Sequence, residues 1–227
     1  MTGMLASVNT IDEALWVLNA GVDIIDLKEP ATGALGALEP ETITTIVKHI
    51  NGKRPISATI GDLPLEPETI TATVNRIAKT GVDYIKIGFF PQGDPLSTLQ
   101  SLVPATQQGT KLVAVFFADQ PMELALIPAL KKHGFYGAMI DTADKESGSL
   151  RQVISEEMLQ SFINQCRQQQ LFCGLAGSLS LADIPFLTRL NPDYLGFRGA
   201  LCHAHQRTEK LDPFAFKAVK EQLAKNS

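Results

Sequence analysis

Eight times along this chain a short apolar run gives way to a helix-length amphipathic stretch, and no long linker or break in composition interrupts the series. The strand-like runs are 4–8, 23–28, 56–60, 83–88, 111–116, 136–141, 171–175 and 193–198. Helices are expected near 10–20, 40–50, 67–80, 95–107, 121–133, 155–169, 180–189 and 212–224. Thr10, Ser155 and Asp212 precede three of them as N-caps, and Gly21, Gly81 and Gly134 follow helix ends, where a left-handed residue belongs. Eight β/α units predict one α/β domain over 1–227, a closed (β/α)8 TIM barrel. An open doubly wound sheet is the structural alternative, but no GxGxxG follows the first strand.

The 227 residues suit one such barrel, which needs about 250. A net charge of −4 leaves no electrostatic footprint for nucleic acid or an anionic membrane, so neither is an expected partner. No apolar run reaches the ~18 residues of a membrane span, and the start MTGMLASVNTIDEAL has no basic, signal-like segment. Cys166, Cys173 and Cys202 are odd in number and lack CxxC spacing. Together these predict a cytoplasmic chain with reduced thiols. A homo-oligomer is left open.

In a barrel, side chains alternate between the interior and the helix layer. With Ile25 and Leu27 against the helices, Asp26 and Lys28 face in. With Ile85 and Ile87 outward, Tyr84 and Lys86 face in. The same parity turns Asp141 and Arg198 inward, and Ser57 and Thr59 with them. Lys28, Lys86, Asp141 and Arg198 belong to strands 2, 4, 6 and 8, and alternate strands share interior layers, so these four are expected in or near one layer at the catalytic face. Lys145, in DTADK, is placed to reach back over the same mouth.

Burying a lysine is costly, and two at strand C-termini point to chemistry. At pH 7 an ordinary lysine is neutral about one part in 2,500. A dry pocket and a neighbouring cation lower its pKa and make it a nucleophile. Lys28 and Lys86 supply that mutual repulsion, with Asp26 or Asp141 to relay protons or stabilise an iminium. The chemistry implied is aldol or dehydration chemistry on a carbonyl through a Schiff base. The plainer reading is a buried salt bridge from one lysine to Asp26 or Asp141.

Strand 7 ends in Gly174-Leu-Ala-Gly177-Ser178 and strand 8 in Gly196-Phe-Arg198-Gly199. Barrel loops after strands 7 and 8 often hold phosphate. Gly177, Ser178, Arg198 and Gly199 are therefore candidate phosphate contacts. Cys202-His203-Ala204-His205 has no second cluster at metal-ligand spacing, so no metal and no cofactor are expected. Asp62 either bonds a substrate hydroxyl or caps a turn.

Six stretches carry a resemblance: DIIDLKEPATGALGA at 23–37, RPISATIGD at 54–62, DYIKIGFF at 83–90, Asp141-Thr142-x-x-Lys145, AGSLSLADIPFL at 176–187 and DYLGFRGALC at 193–202. Over nearly its whole length the chain resembles the (5-formylfuran-3-yl)methyl phosphate synthases, also called 4-(hydroxymethyl)-2-furancarboxaldehyde-phosphate synthases. The resemblance implies a metal-independent class I aldolase-like lyase on a TIM barrel. It would condense two molecules of glyceraldehyde 3-phosphate, with loss of phosphate and water, to a furan precursor of methanofuran for one-carbon metabolism. It also implies Lys28 as the Schiff-base residue, Lys86 as proton acceptor, and Asp141 and Lys145 as the remaining catalytic pair. Two other readings stay open on the residues alone: a phosphate-binding decarboxylase or epimerase without a covalent imine, and a non-catalytic barrel that binds a sugar phosphate.

Overall fold

Strands covered on both faces read as continuous apolar runs, because helices pack outside them and side chains fill the space within. The computed structural model describes residues 2–144 and 147–226. Eight parallel strands, β1 (Gly3–Val8), β2 (Ile24–Leu27), β3 (Ile56–Thr59), β4 (Tyr84–Gly88), β5 (Lys111–Phe117), β6 (Gly137–Asp141), β7 (Phe172–Leu175) and β8 (Tyr194–Phe197), pair in chain order. The ring closes where β1 meets β8, with Gly3 opposite Tyr194 and Ala6 opposite Phe197. The expected single TIM barrel is therefore the fold.

The outer layer comprises α1 (Ile11–Asn19), α2 (Pro40–Ile50), α3 (Pro67–Ala78), α4 (Pro95–Ser101), α5 (Val103–Gln107), α6 (Ile127–Lys132), α7 (Leu150–Val153), α8 (Glu156–Gln168), α9 (Ile184–Arg189) and α10 (Pro213–Lys225). Thr10, Ser155 and Asp212 cap α1, α8 and α10 through their side chains. Proline accounts for most departures from the expected boundaries. The stretch 95–107 breaks at Leu102 because Pro104 has no N–H to continue the ladder. The stretch 121–133 starts late, as a 3-10 turn at Leu124–Leu126 followed by a helix with Pro128 in its first turn. The last turn before Pro185 stays irregular, so α9 begins at Ile184 rather than near 180.

Two apolar layers result. Ile25, Leu27, Ile85, Ile87, Ile140 and Leu195 pack outward against the helices, and each fully buried side chain of this size contributes roughly 1.5–3 kcal/mol. Inside, Leu5, Ile24, Val113, Met139 and Tyr194 fill the lower barrel. Tyr84 and Phe172 stack with centroids 6.1 Å apart, and Phe172 and Tyr194 with centroids 5.0 Å apart. Gly174 makes room for this floor, since a β-carbon there would run into the ring of Tyr194. An aromatic floor at one end leaves the strand C-termini to hold whatever polar groups the barrel contains.

Candidate active site

Above the floor the interior turns polar. Asp26 is buried, and both its oxygens are used. Oδ2 accepts from Ser7 Oγ at 2.7 Å, and Oδ1 accepts from Ser57 Oγ at 2.6 Å. Lys86 Nζ meets Oδ1 at 2.6 Å. These partners come from β1, β3 and β4, brought to β2 by the ring. Strand parity selects them: Ser7 and Ser57 both align with Asp26 in the ladders.

Lys28 and Asp141 form the second pair, Nζ to Oδ2, at 3.4 Å. Asp141 Oδ1 also accepts the backbone N–H of Thr142 at 2.8 Å. Lys28 is 8% exposed and Lys86 3%. Burial holds the Lys86 ammonium below the ordinary lysine range. The attraction of Asp26 opposes this and the nearby Lys28 charge adds to it. Asp141 attracts Lys86 as well, so the two pairs share one electrostatic environment. Both pairs line a cavity of about 500 Å³ that opens at the C-terminal face.

The chain matches the family model described as 4-HFC-P synthase across residues 4–220. This chain belongs to the 4-HFC-P synthase family. It is 44% identical over 210 residues to a Methylorubrum extorquens protein provisionally named a (5-formylfuran-3-yl)methyl phosphate synthase, covering 92% of this chain and 86% of that one. It is 32% identical over 229 residues to the (5-formylfuran-3-yl)methyl phosphate synthase of Methanosarcina acetivorans, covering 96% and 98%. Among solved structures, the 3-hexulose-6-phosphate synthase of Salmonella typhimurium superposes with a TM-score of 0.72 at 16% identity over 100% of both chains. That likeness carries the fold alone.

In this member of the 4-HFC-P synthase family, Lys28, Lys86, Asp141 and Arg198 all line that cavity. The lysines pair with Asp141 and Asp26, and the Arg198 guanidinium turns to other partners. Its five N–H donors are spent on five acceptors: Nε on the carbonyl of Arg207 at 2.8 Å, Nη1 on Ser7 O and Glu13 Oε2, and Nη2 on Glu13 Oε1 and Glu209 O. Arg198, expected among the phosphate contacts, lines the cavity with its guanidinium fully engaged. Glu13 neutralises it, and a phosphate would have to break bonds already made.

The two candidate loop glycines also have packing reasons. A β-carbon on Gly177 would lie 2.9 Å from Cγ2 of Thr142, and one on Gly199 would lie 3.1 Å from the carbonyl of His205. Ser178 takes a positive φ of 46° and lines the cavity with both glycines. Lys145 lies outside the described residues. Asp62 is a brace: its oxygens accept from the N–H groups of Ala34 and Leu35 at 2.8 and 2.6 Å. The His203–His205 segment is part of a small hairpin closed by a Cys202–Leu211 bridge. Among the described residues, no group of three His, Cys, Asp or Glu stands close enough to hold a metal ion. No helix among them is long and apolar enough to cross a membrane.

Sequence reasoning missed Ser7, which inward parity on β1 would have found. It also missed Glu13 and Arg207, for which no local pattern speaks.

Proposed function

We propose that this chain is a cytoplasmic enzyme that condenses two molecules of glyceraldehyde 3-phosphate through a Schiff base on Lys28. Phosphate and water leave, and (5-formylfuran-3-yl)methyl phosphate remains as a precursor for a methanofuran-type cofactor of one-carbon metabolism. One observation carries the reading: two buried lysines from alternate strands, Lys28 just after β2 and Lys86 within β4, share a single cavity, each against its own carboxylate. A sugar-phosphate sensor has no need of such an arrangement, whereas imine chemistry needs one amine to attack and a second group to move protons.

Lys28 sits nearer the mouth and attacks the carbonyl of the first substrate, losing water to form the imine. Asp141 orients its amine and faces the iminium charge. Lys86, lowered in pKa by burial, takes the proton from the carbon beside the iminium. The enamine so formed attacks the second aldehyde and makes the new C–C bond. Asp26, held by Ser7 and Ser57, fixes Lys86 in place. Lys145 is assigned with Asp141 on the sequence resemblance. Gly177, Ser178 and Gly199 offer backbone and hydroxyl donors to a phosphate at the β7–β8 side.

Borohydride reduction in the presence of glyceraldehyde 3-phosphate, read by intact mass and peptide mapping, tests this reading. The expected adduct lies on Lys28 and disappears in Lys28→Ala. Substrate binding with no adduct on any lysine would overturn the imine and move the reaction to non-covalent chemistry on the same barrel.

A further inference from the structure

The cavity contains two arginines, and their donor accounts differ. Arg198 is saturated, as described above. Arg207 has five donors as well, and among the described residues one acceptor is recorded for it, the carbonyl of Gly33 at 2.9 Å. It forms no ion pair among the described residues. Yet it is half-buried and lines the same cavity as Lys28 and Asp141. A cation partly shielded from water without a carboxylate at contact is an arrangement that a bound anion would relieve.

The fold goes to some length to hold it there. Arg207 lies in the 202–211 hairpin, where His203 N–H bonds Lys210 O at 3.0 Å. Arg198 pins the base of that hairpin by taking the carbonyls of Arg207 and Glu209. Ala204 and His205 both sit at positive φ, 51° and 59°, a backbone strain that persists only where the surroundings impose it. The result carries the Arg207 guanidinium from the β8 side of the mouth to Gly33 in the loop after β2, the loop that begins with Lys28. Burial depresses its basicity. Asp141, Asp62 and Glu29 attract it without contact, and Arg198 repels it.

We propose that Arg207 is the cationic anchor for a substrate phosphate at the mouth of the cavity, the role its neighbour Arg198 is too committed to fill. The ligand class is a phosphomonoester on a short carbon chain whose carbonyl reaches Lys28. Guanidinium suits this task because its fork meets two phosphate oxygens at once. This assignment rests on the triose-phosphate reading above for its substrate, but not for its anion.

Calorimetric titration with inorganic phosphate separates the two claims. Arg207→Gln keeps a donor for the Gly33 carbonyl and removes the charge. It should weaken phosphate binding by roughly 10- to 100-fold, the loss expected for a charge-assisted hydrogen bond. Its thermal midpoint should stay close to that of the parent. Arg207→Lys should recover part of the affinity. Trapping of unphosphorylated D-glyceraldehyde on Lys28 should be unchanged in Arg207→Gln, while KM for glyceraldehyde 3-phosphate rises. Phosphate affinity equal to the parent's in a folded Arg207→Gln would overturn the proposal. Loss of phosphate binding in that variant, alongside no imine in the parent, would uphold it and sink the Schiff-base reading instead.

Discussion

The two lysine–aspartate pairs differ in how tightly the barrel holds them. Lys86 and Asp26 meet at 2.6 Å, with two serine hydroxyls completing the carboxylate's partners deep in the interior. Lys28 and Asp141 stand 3.4 Å apart nearer the opening, and Asp141 closes onto its own loop through Thr142. Coulomb attraction in a dry site grows steeply at short range, but so does the cost of desolvation. The lower pair is therefore a fixed element, whereas the upper pair is loose enough for an amine to turn toward a carbonyl. Position along the barrel axis, rather than residue type, separates the two roles that the proposed function assigns.

The most severe way to break this contrast is to strand the lower lysine. Asp26→Leu leaves Lys86 buried without its carboxylate and should cost about 3–5 kcal/mol of stability, measured by urea unfolding. Asp141→Asn, which keeps an acceptor for the Thr142 N–H, should cost no more than about 1–2 kcal/mol. Equal losses would mean that the two pairs are equally structural.

A gentler probe is pH. The folded pKa of Lys86 lies below its unfolded value, so between the two the unfolded chain binds more protons and stability rises with pH. Below that window the penalty of burying the ammonium is present in full. It is relieved as pH climbs toward the unfolded lysine value of about 10.4. Lys86→Met should remove this alkaline rise, which has a slope of at most about 1.4 kcal/mol per pH unit. Lys28→Met should raise the Lys86 pKa, because a neighbouring positive charge is gone, and so shift the rise to higher pH. An unchanged stability–pH curve in Lys86→Met would remove Lys86 as its source.

The last contrast concerns the rim. Glu13→Gln and Arg198→Met each break the same clamp, so each should lower stability by about 1–3 kcal/mol, and the double variant should lose little more than either alone. Additive losses would show that Arg198 does its work through the backbone carbonyls without Glu13.

Much of this site is legible one strand at a time. Period-two alternation turns Asp26, Lys28, Lys86 and Asp141 inward once Ile25, Leu27, Ile85, Ile87 and Ile140 are assigned to the helix layer, and the outer core has those residues where alternation puts them. Arg198 follows the same parity, yet its guanidinium is claimed by a glutamate 185 residues earlier in the chain. Gly177 and Gly199 line the cavity, and the neighbouring Thr142 and His205 give each a packing reason that no local pattern shows. Helix ends depart from the apolar pattern mostly at Pro104, Pro128 and Pro185, where a missing donor overrides it.

What the sequence determined by itself was therefore the repeated unit and the face of each strand, because these depend on backbone geometry within a few residues. Only ring closure decided which aspartate meets which lysine, as Lys28 and Asp141 are 113 residues apart. It also decided that one arginine is spent as a clamp while the next keeps donors at the cavity mouth. Pairing depends on the register of eight strands taken together and on the paths of the loops between them. No local pattern of residue types contains that information.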